Sequence, residues 1–160
     1  TAGDGEKVLV SFAKPLAHRA LAPAYQLSSL GYELVGTAAT AAYLSGRGVP
    51  CAEVAFPTDA GDAPGGPDDA VALIRDGKIK LAVNLHAPES TRLADNYLIR
   101  RAAADFNIAL VTNAQVFEMI AASLTKHAKG EILAANPTDL FSYYENEAAT
   151  DAWTQKDEFH

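Results

Sequence analysis

The sequence is poor in the residues that cross-link small proteins or hold metal ions. Its 160 residues include one cysteine, Cys51, and four histidines. A single thiol cannot build an internal disulfide framework, so we expect Cys51 to behave as a small core hydrophobe. The histidines are scattered along the chain and show no metal-ligand spacing with that cysteine, so no metal site is predicted.

Two further absences argue against membrane and nucleic-acid functions. No apolar stretch approaches the roughly 20 residues that a membrane-spanning helix needs, so no membrane span is predicted. Acidic residues outnumber basic ones by 20 to 13, for a net charge of −7. Residues 131–160 carry −6 of that charge, and residues 1–130 carry only −1. Because nucleic-acid binding depends on clustered Lys and Arg, nucleic acid is not a predicted partner.

Fingerprints of common cofactor sites are also missing. The sequence contains neither GxGxxG nor GxxxxGK[ST], so no dinucleotide or P-loop nucleotide site is predicted, and we expect no cofactor. The apolar fraction of 49% is that of an ordinary folded domain, and the length has room for one such domain. We therefore expect a domain over residues 1–130, followed by an acidic aromatic tail over residues 131–160.

Short apolar runs rich in Val and Ile alternate with amphipathic helical patterns along the domain. This alternation predicts a single α/β domain, with a parallel five-stranded sheet and helices on both faces. The predicted strands cover residues 7–12, 33–37, 52–56, 81–85 and 108–112. The predicted helices cover residues 16–30, 38–44, 68–75, 92–106 and 114–126.

Ligands of such sheets bind outside the carboxyl ends of the strands, and two threonines lie at one of these ends. Thr37 and Thr40 follow the second predicted strand and open the next helix. Their hydroxyls and the first N–H groups of a helix together suit a phosphate or carboxylate. The alternative is that one threonine simply caps the helix.

Two asparagines occupy a similar position further along the chain. Asn84 ends the fourth predicted strand, and Asn96 lies in the first turns of the next helix. Their amides suit a small polar ligand, although capping of the backbone is the simpler interpretation. His86 also lies at this strand end, but no partner can be placed beside it. We therefore predict no catalytic residues and no catalysis by this chain itself.

The two segments without regular patterns carry open alternatives. Residues 57–67 hold three prolines and three glycines, which indicates either a lid over a ligand or an ordinary surface connection. Residues 131–160 hold five aromatic residues, which indicates a segment that packs back on the domain or docks on a partner protein.

Four runs in the chain resemble the methylglyoxal-synthase-like domain family, which has a flavodoxin-like layering of sheet and helices. These runs are VGTAAT (35–40), VAFPTDAG (54–61), LIRDGKIKLAVNL (73–85) and DNYLIRRAAADFNIALVTN (95–113). Within that family, the chain is similar to the carboxyl-terminal allosteric domain of ammonia-dependent carbamoyl phosphate synthetase of urea-producing animals, which N-acetylglutamate activates. The resemblance implies a non-catalytic regulatory domain that binds a small anionic effector and allosterically controls carbamoyl phosphate synthesis.

The resemblance also implies an effector site, with two departures from the family pattern. Phe56 stands where a tryptophan is expected, and Ala87 stands where a third asparagine is expected. The first change removes an indole N–H and the second removes an amide, so the effector differs or binds weakly. The implied effector-binding residues are Thr37, Thr40, Phe56, Asn84 and Asn96.

Partners and location follow from the resemblance alone. It implies catalytic domains or a larger assembly as partners, and the mitochondrial matrix as the compartment. One alternative is a standalone docking subunit that reuses the fold and binds its partners through the tail. Another is a methylglyoxal-synthase lyase, but Pro67 stands where the catalytic aspartate is expected, and Asp68 comes one residue late.

Overall fold

A computed structural model describes residues 5–57, 68–87 and 92–130. In this part of the chain, five strands and five α-helices alternate, with a short 3₁₀ turn, Lys14–Leu16, before the first helix. The strands are β1 (Lys7–Phe12), β2 (Glu33–Thr37), β3 (Cys51–Val54), β4 (Ile79–Leu85) and β5 (Ala109–Val111). The helices are α1 (Ala17–Ser29), α2 (Ala38–Ser45), α3 (Ala70–Arg75), α4 (Leu93–Asp105) and α5 (Ala114–Ala128).

The strands form one sheet in the order β3-β2-β1-β4-β5, and every pairing is parallel. The predicted single-domain parallel α/β fold is therefore confirmed. Most of the proposed lid (residues 58–67) and the whole proposed tail (residues 131–160) lie outside the described residues. The lid, the tail and the domain boundary at residue 130 stay predictions.

Alternate side chains of the strands supply two separate hydrophobic cores. On β1, Val8 and Val10 pack into a core beneath α1 and α5, while Leu9 packs into a second core beneath α3 and α4. All three side chains are at most 1% exposed. Because both faces of the sheet are covered, the strands appear in the sequence as continuous apolar runs.

The ends of three predicted strands differ from the observed ones, and β3 begins one residue before its predicted start. β3 ends at Val54 instead of residue 56, because Ala55 forms an isolated bridge with Asp69 at the start of α3. β4 begins at Ile79, two residues before the predicted start. β5 contains only Ala109–Val111 of the five predicted residues. Each difference lies at a strand end, where pairing and not the apolar pattern decides the assignment.

Gly36 lets β2 pack closely against its neighbours just before the candidate threonines. A Cβ at this position would lie 3.0 Å from the Val10 carbonyl oxygen, 3.0 Å from the Cys51 sulfur and 3.2 Å from Cγ2 of Thr40. Glycine therefore allows Thr40 to sit against the end of the sheet.

Cys51 lies at the start of β3 and packs partly against the first core. Burial raises the pKa of its thiol to about 11, so the group stays protonated at neutral pH. In the described ranges, no helix is both long and apolar enough to cross a bilayer.

Candidate functional site

A cavity of about 770 Å³ opens at the carboxyl ends of β1, β2, β3 and β4. We call it the carboxyl-edge cavity. It lies where the chain order of the strands reverses, between β1 and β4, which is the usual ligand position in open α/β sheets. Its polar lining residues are Ser11, Lys14, Thr37, Thr40, Glu53, His86, Arg92 and Asn96. Its apolar lining includes Phe12, Val54, Phe56, Leu85 and Ala87.

Three buried hydroxyls form the floor of this cavity. Ser11, Thr37 and Thr40, which we call the hydroxyl trio, are 6%, 2% and 2% exposed. The Thr37 hydroxyl lies 3.3 Å from that of Ser11 and donates to that of Thr40 over 3.4 Å. The backbone N–H of Phe12 donates to Oγ1 of Thr40 over 3.2 Å. The end of β1 thereby fixes the position of a side chain in the first turn of α2.

The simpler capping interpretation of these threonines is wrong. Thr37 occupies the N-cap position of α2 and has an extended backbone, but its side chain makes no capping hydrogen bond. The first residues of the helix, Ala38 and Ala39, are exposed and line the cavity beside the trio. The positive end of the α2 dipole therefore faces the same space as the three hydroxyls.

Asn84 of β4 and Asn96 of α4, which we call the amide pair, contact each other beside the cavity. Nδ2 of Asn84 donates to Oδ1 of Asn96 over 3.0 Å, and Nε of Arg100 donates to Oδ1 of Asn84 over 3.0 Å. Asn96 lines the cavity, whereas Asn84 lies behind it and is only 1% exposed. Neither residue occupies a cap position, since Asn84 is within β4 and Asn96 is within α4. A chain of polar contacts thus runs from Arg100 to the wall of the cavity.

His86 lines the cavity and contacts the guanidinium of Arg100. Burial, and to a smaller degree the charge of Arg100, lower the pKa of this imidazole below its ordinary value. The neutral ring accepts a hydrogen bond from Arg100, whereas the protonated ring would face a second positive charge.

The lowered pKa of His86 predicts a stability contribution that depends on pH. A base with a lowered folded pKa stabilises the fold above its unfolded pKa of about 6.5, and this contribution is lost as the pH falls through the folded value. We expect the wild-type protein to lose thermal stability relative to His86→Gln between about pH 7.5 and about pH 5. Thermal unfolding of both proteins across this range measures the difference, and parallel curves would contradict the prediction.

Phe56 forms an apolar wall just beyond β3, and a cation lies across it. The Arg92 guanidinium carbon is 4.6 Å from the centre of the Phe56 ring. Nη1 of Arg92 donates to Oδ2 of Asp95 over 3.3 Å. Ala87, at the position where the resemblance leads one to expect an asparagine, is also part of the lining.

The structure thus brings four of the five sequence-predicted effector residues to one cavity and places the fifth, Asn84, directly behind it. Sequence reasoning places Ser11, Lys14 and Arg92 in segments that follow predicted strands, but it does not name them as effector residues. It does not identify Glu53 or Arg100 at all. Arg100 had a local signal of its own, because it follows Asn96 by four residues and so shares its helix face. Asp68 is exposed and is not among the lining residues. In the described ranges, no group of three or more His, Cys, Asp or Glu side chains is placed to hold a metal ion.

Comparisons with known proteins agree with this architecture. The sequence model of the MGS-like domain family matches residues 19–112. The mitochondrial carbamoyl-phosphate synthase [ammonia] of Rattus norvegicus is 38% identical over 119 residues, which are 74% of this chain and 8% of the relative. The corresponding protein of Homo sapiens is 37% identical over 122 residues, which are 76% of this chain and 8% of the relative.

A bacterial relative and a solved structure extend the comparison. The carbamoyl phosphate synthase large chain of Mycobacterium sp. (strain JLS) is 29% identical over 135 residues, or 84% of this chain and 12% of the relative. The chain therefore spans only a small part of the curated relatives it matches. Methylglyoxal synthase from Elizabethkingia anophelis superposes with a TM-score of 0.54 and 17% identity, covering 75% of this chain and 78% of that one. At that identity the likeness concerns the fold alone.

Proposed function

Because this chain belongs to the MGS-like domain family, we propose that it is a non-catalytic regulatory domain that binds a small anionic effector. The effector resembles N-acetylglutamate and occupies the carboxyl-edge cavity. Its binding allosterically controls carbamoyl phosphate synthesis by a larger assembly. The observation that carries this proposal is the buried hydroxyl trio beside the exposed start of α2.

The preference for an anion follows from the groups at the cavity floor. The first N–H groups of α2 have no carbonyl partner within the helix, and the helix dipole adds a partial positive charge there. The hydroxyls of Thr37 and Thr40 can rotate to donate to a ligand oxygen. Asn96 supplies an amide from α4, and Phe56 and Ala87 supply apolar surface. This combination suits a carboxylate on a short, partly apolar backbone.

The hydrogen bonds among the polar groups of the cavity favour a binding role over a catalytic one. The members of the trio are bonded to one another and, through Thr40, to the backbone of Phe12. The two amides are bonded to each other and to Arg100. Such networks are typical of a fixed recognition surface. Asp68, which the lyase hypothesis would need as a base, is not part of the cavity lining. The mitochondrial names of the mammalian relatives support a matrix location, although bacterial relatives also match.

Control of an assembly requires that the effector bind two arrangements of that assembly with different affinity. The relatives are carbamoyl phosphate synthases of which this domain covers about a tenth. In this proposal, the catalytic domains of such a protein, or of a separate subunit, are the partner whose arrangement the effector biases.

A matched pair of variants on α2 tests the binding site. Calorimetric titration of N-acetylglutamate is expected to show saturable binding to the wild type. Ala39→Glu is expected to lower that affinity by at least about tenfold, because it adds a carboxylate inside the cavity while favouring the helix dipole. Ala42→Glu, on an exposed residue of the same helix that does not line the cavity, is expected to leave the affinity unchanged.

If Ala39→Glu and Ala42→Glu bind N-acetylglutamate equally well, the ligand does not bind in the carboxyl-edge cavity. The proposed control of catalysis is tested separately from binding. Carbamoyl phosphate formation by the natural protein that contains this domain is measured with and without N-acetylglutamate. Activation that Ala39→Glu removes supports the proposal. Phosphate release from dihydroxyacetone phosphate by this domain would overturn the non-catalytic role and favour the lyase.

A further inference from the structure

Among the contacts that hold Arg92 at the carboxyl-edge cavity, two involve described residues of different kinds. One face of its guanidinium lies against the Phe56 ring, and one edge donates to the Asp95 carboxylate. Phe56 follows β3 and Arg92 precedes α4, so the contact joins segments that are 36 positions apart in the sequence. A guanidinium clamped in this way loses little additional freedom when it binds an anion.

The counter-ion of Arg92 lies away from the cavity. The side chain of Asp95 is 4% exposed and is not part of the lining, whereas the side chain of Arg92 is 43% exposed and is part of it. A ligand in the cavity therefore meets the guanidinium and not the carboxylate. The ion pair orients the guanidinium, and its carboxylate is not part of the cavity wall.

The cavity has anion-attracting groups at two separate places. The hydroxyl trio and the start of α2 form one place, over the ends of β1 and β2. Arg92, the residue before α4, forms the second place, on the face of the sheet that α3 and α4 cover. Lys14 adds a cation on the α1 side, and the exposed Glu53 offsets one of these charges. Phe56 and Ala87 supply apolar surface in the same cavity.

We propose that Arg92 is the specificity-determining residue of the cavity and makes it select ligands that carry two anionic groups. One group lies on the hydroxyl trio at the start of α2, and the second contacts the guanidinium of Arg92. The apolar part of the ligand lies against Phe56. This inference rests on the proposed function, because it assigns a ligand class to the same cavity.

Two ligands that differ in one charge test the inference. N-acetylglutamate carries two carboxylates, and N-acetylglutamine replaces the second by a neutral amide of nearly the same shape. Charge-assisted hydrogen bonds to arginine predict that the wild type prefers the dianion by about ten- to a hundredfold. Arg92→Gln is expected to reduce this preference to less than about threefold, with the affinity for N-acetylglutamine unchanged. Arg92→Lys is expected to keep part of the preference.

The ratio of the two affinities separates recognition from a structural effect, since a damaged fold weakens both ligands together. Arg101→Gln is the matched control, because Arg101 is on α4, the helix that Arg92 precedes, has a 64% exposed side chain and does not line the cavity. Equal losses for both ligands in Arg92→Gln, or a preference that persists, would overturn the role of Arg92 and leave the proposed function standing. Binding of neither ligand to the wild type would overturn both.

Discussion

Replacing Thr40 by valine is expected to lower the affinity for the anionic effector by about a hundredfold or more. Valine has nearly the shape of threonine but cannot accept the N–H of Phe12 or the hydroxyl of Thr37, which both bond to Oγ1 in the wild type. The buried Phe12 N–H then lacks a partner, which costs about 1–3 kcal/mol of folding stability. The ligand also loses a hydroxyl at the start of α2. Calorimetric titration and thermal unfolding measure the two effects.

Two further threonine variants make this expectation specific. Thr40→Ser keeps the hydroxyl and is expected to retain most of the affinity. Thr125→Val removes a hydroxyl that donates to the Ala121 carbonyl over 2.8 Å within α5, outside the cavity lining. It is expected to leave the affinity unchanged and to alter stability by less than about 1 kcal/mol. If Thr40→Val binds the effector as tightly as the wild type does, the hydroxyl trio is not the anion site.

The layout of the fold was predictable because its signals are local. A strand that is buried on both faces is an apolar run, as at β1, where Val8, Leu9 and Val10 are almost fully buried. The end of α1 was equally clear, since Gly31 follows it with a φ of +95°, which glycine adopts without strain. Such signals depend on a few neighbouring residues and not on the rest of the chain.

The contacts inside the site were only partly predictable, because they depend on the order of the strands. The register places Ser11 of β1 beside Asn84 of β4, which the sequence separates by 73 positions. Thr37 and Thr40 were identified from their position after a strand. Their bonds to Ser11 and to the backbone of Phe12 required the three-dimensional arrangement.

The charged part of the site was the least predictable from sequence. Arg92 precedes α4 and Phe56 follows β3, and both residues lie near the face of the sheet that α3 and α4 cover. No short sequence pattern encodes a contact between two such distant segments. Arg100 belongs to a pair of arginines, and only its spacing of four residues from Asn96 favours it over Arg101. In the structure, Arg100 points inward to Asn84, while Arg101 is ion-paired with Asp105 at the surface.

Asn84→Asp is expected to weaken effector binding strongly while the domain stays folded. The carboxylate keeps the shape of the amide and still accepts from Nε of Arg100, now as a charge-assisted bond. It loses the donor to Oδ1 of Asn96, so two oxygen acceptors would face each other over the former 3.0 Å contact. Relief of this repulsion by rotation of the Asn96 amide would turn its carbonyl oxygen toward the cavity. An anionic ligand would then meet the carbonyl oxygen of Asn96 instead of its amide N–H group, and the new carboxylate would lie behind that oxygen.

The matched control is the same chemical change at a helix cap. Asn113 accepts from the backbone N–H groups of Gln115 and Val116 at the start of α5, and aspartate accepts these bonds equally well. Asn113→Asp is therefore expected to keep wild-type stability and affinity. For Asn84→Asp we expect an unfolding free energy within about 2 kcal/mol of the wild type and an affinity at least about a hundredfold lower, because a buried carboxylate repels an anion across a low dielectric. Unchanged binding by Asn84→Asp would mean that the amide pair braces the wall without setting the polarity that the ligand meets.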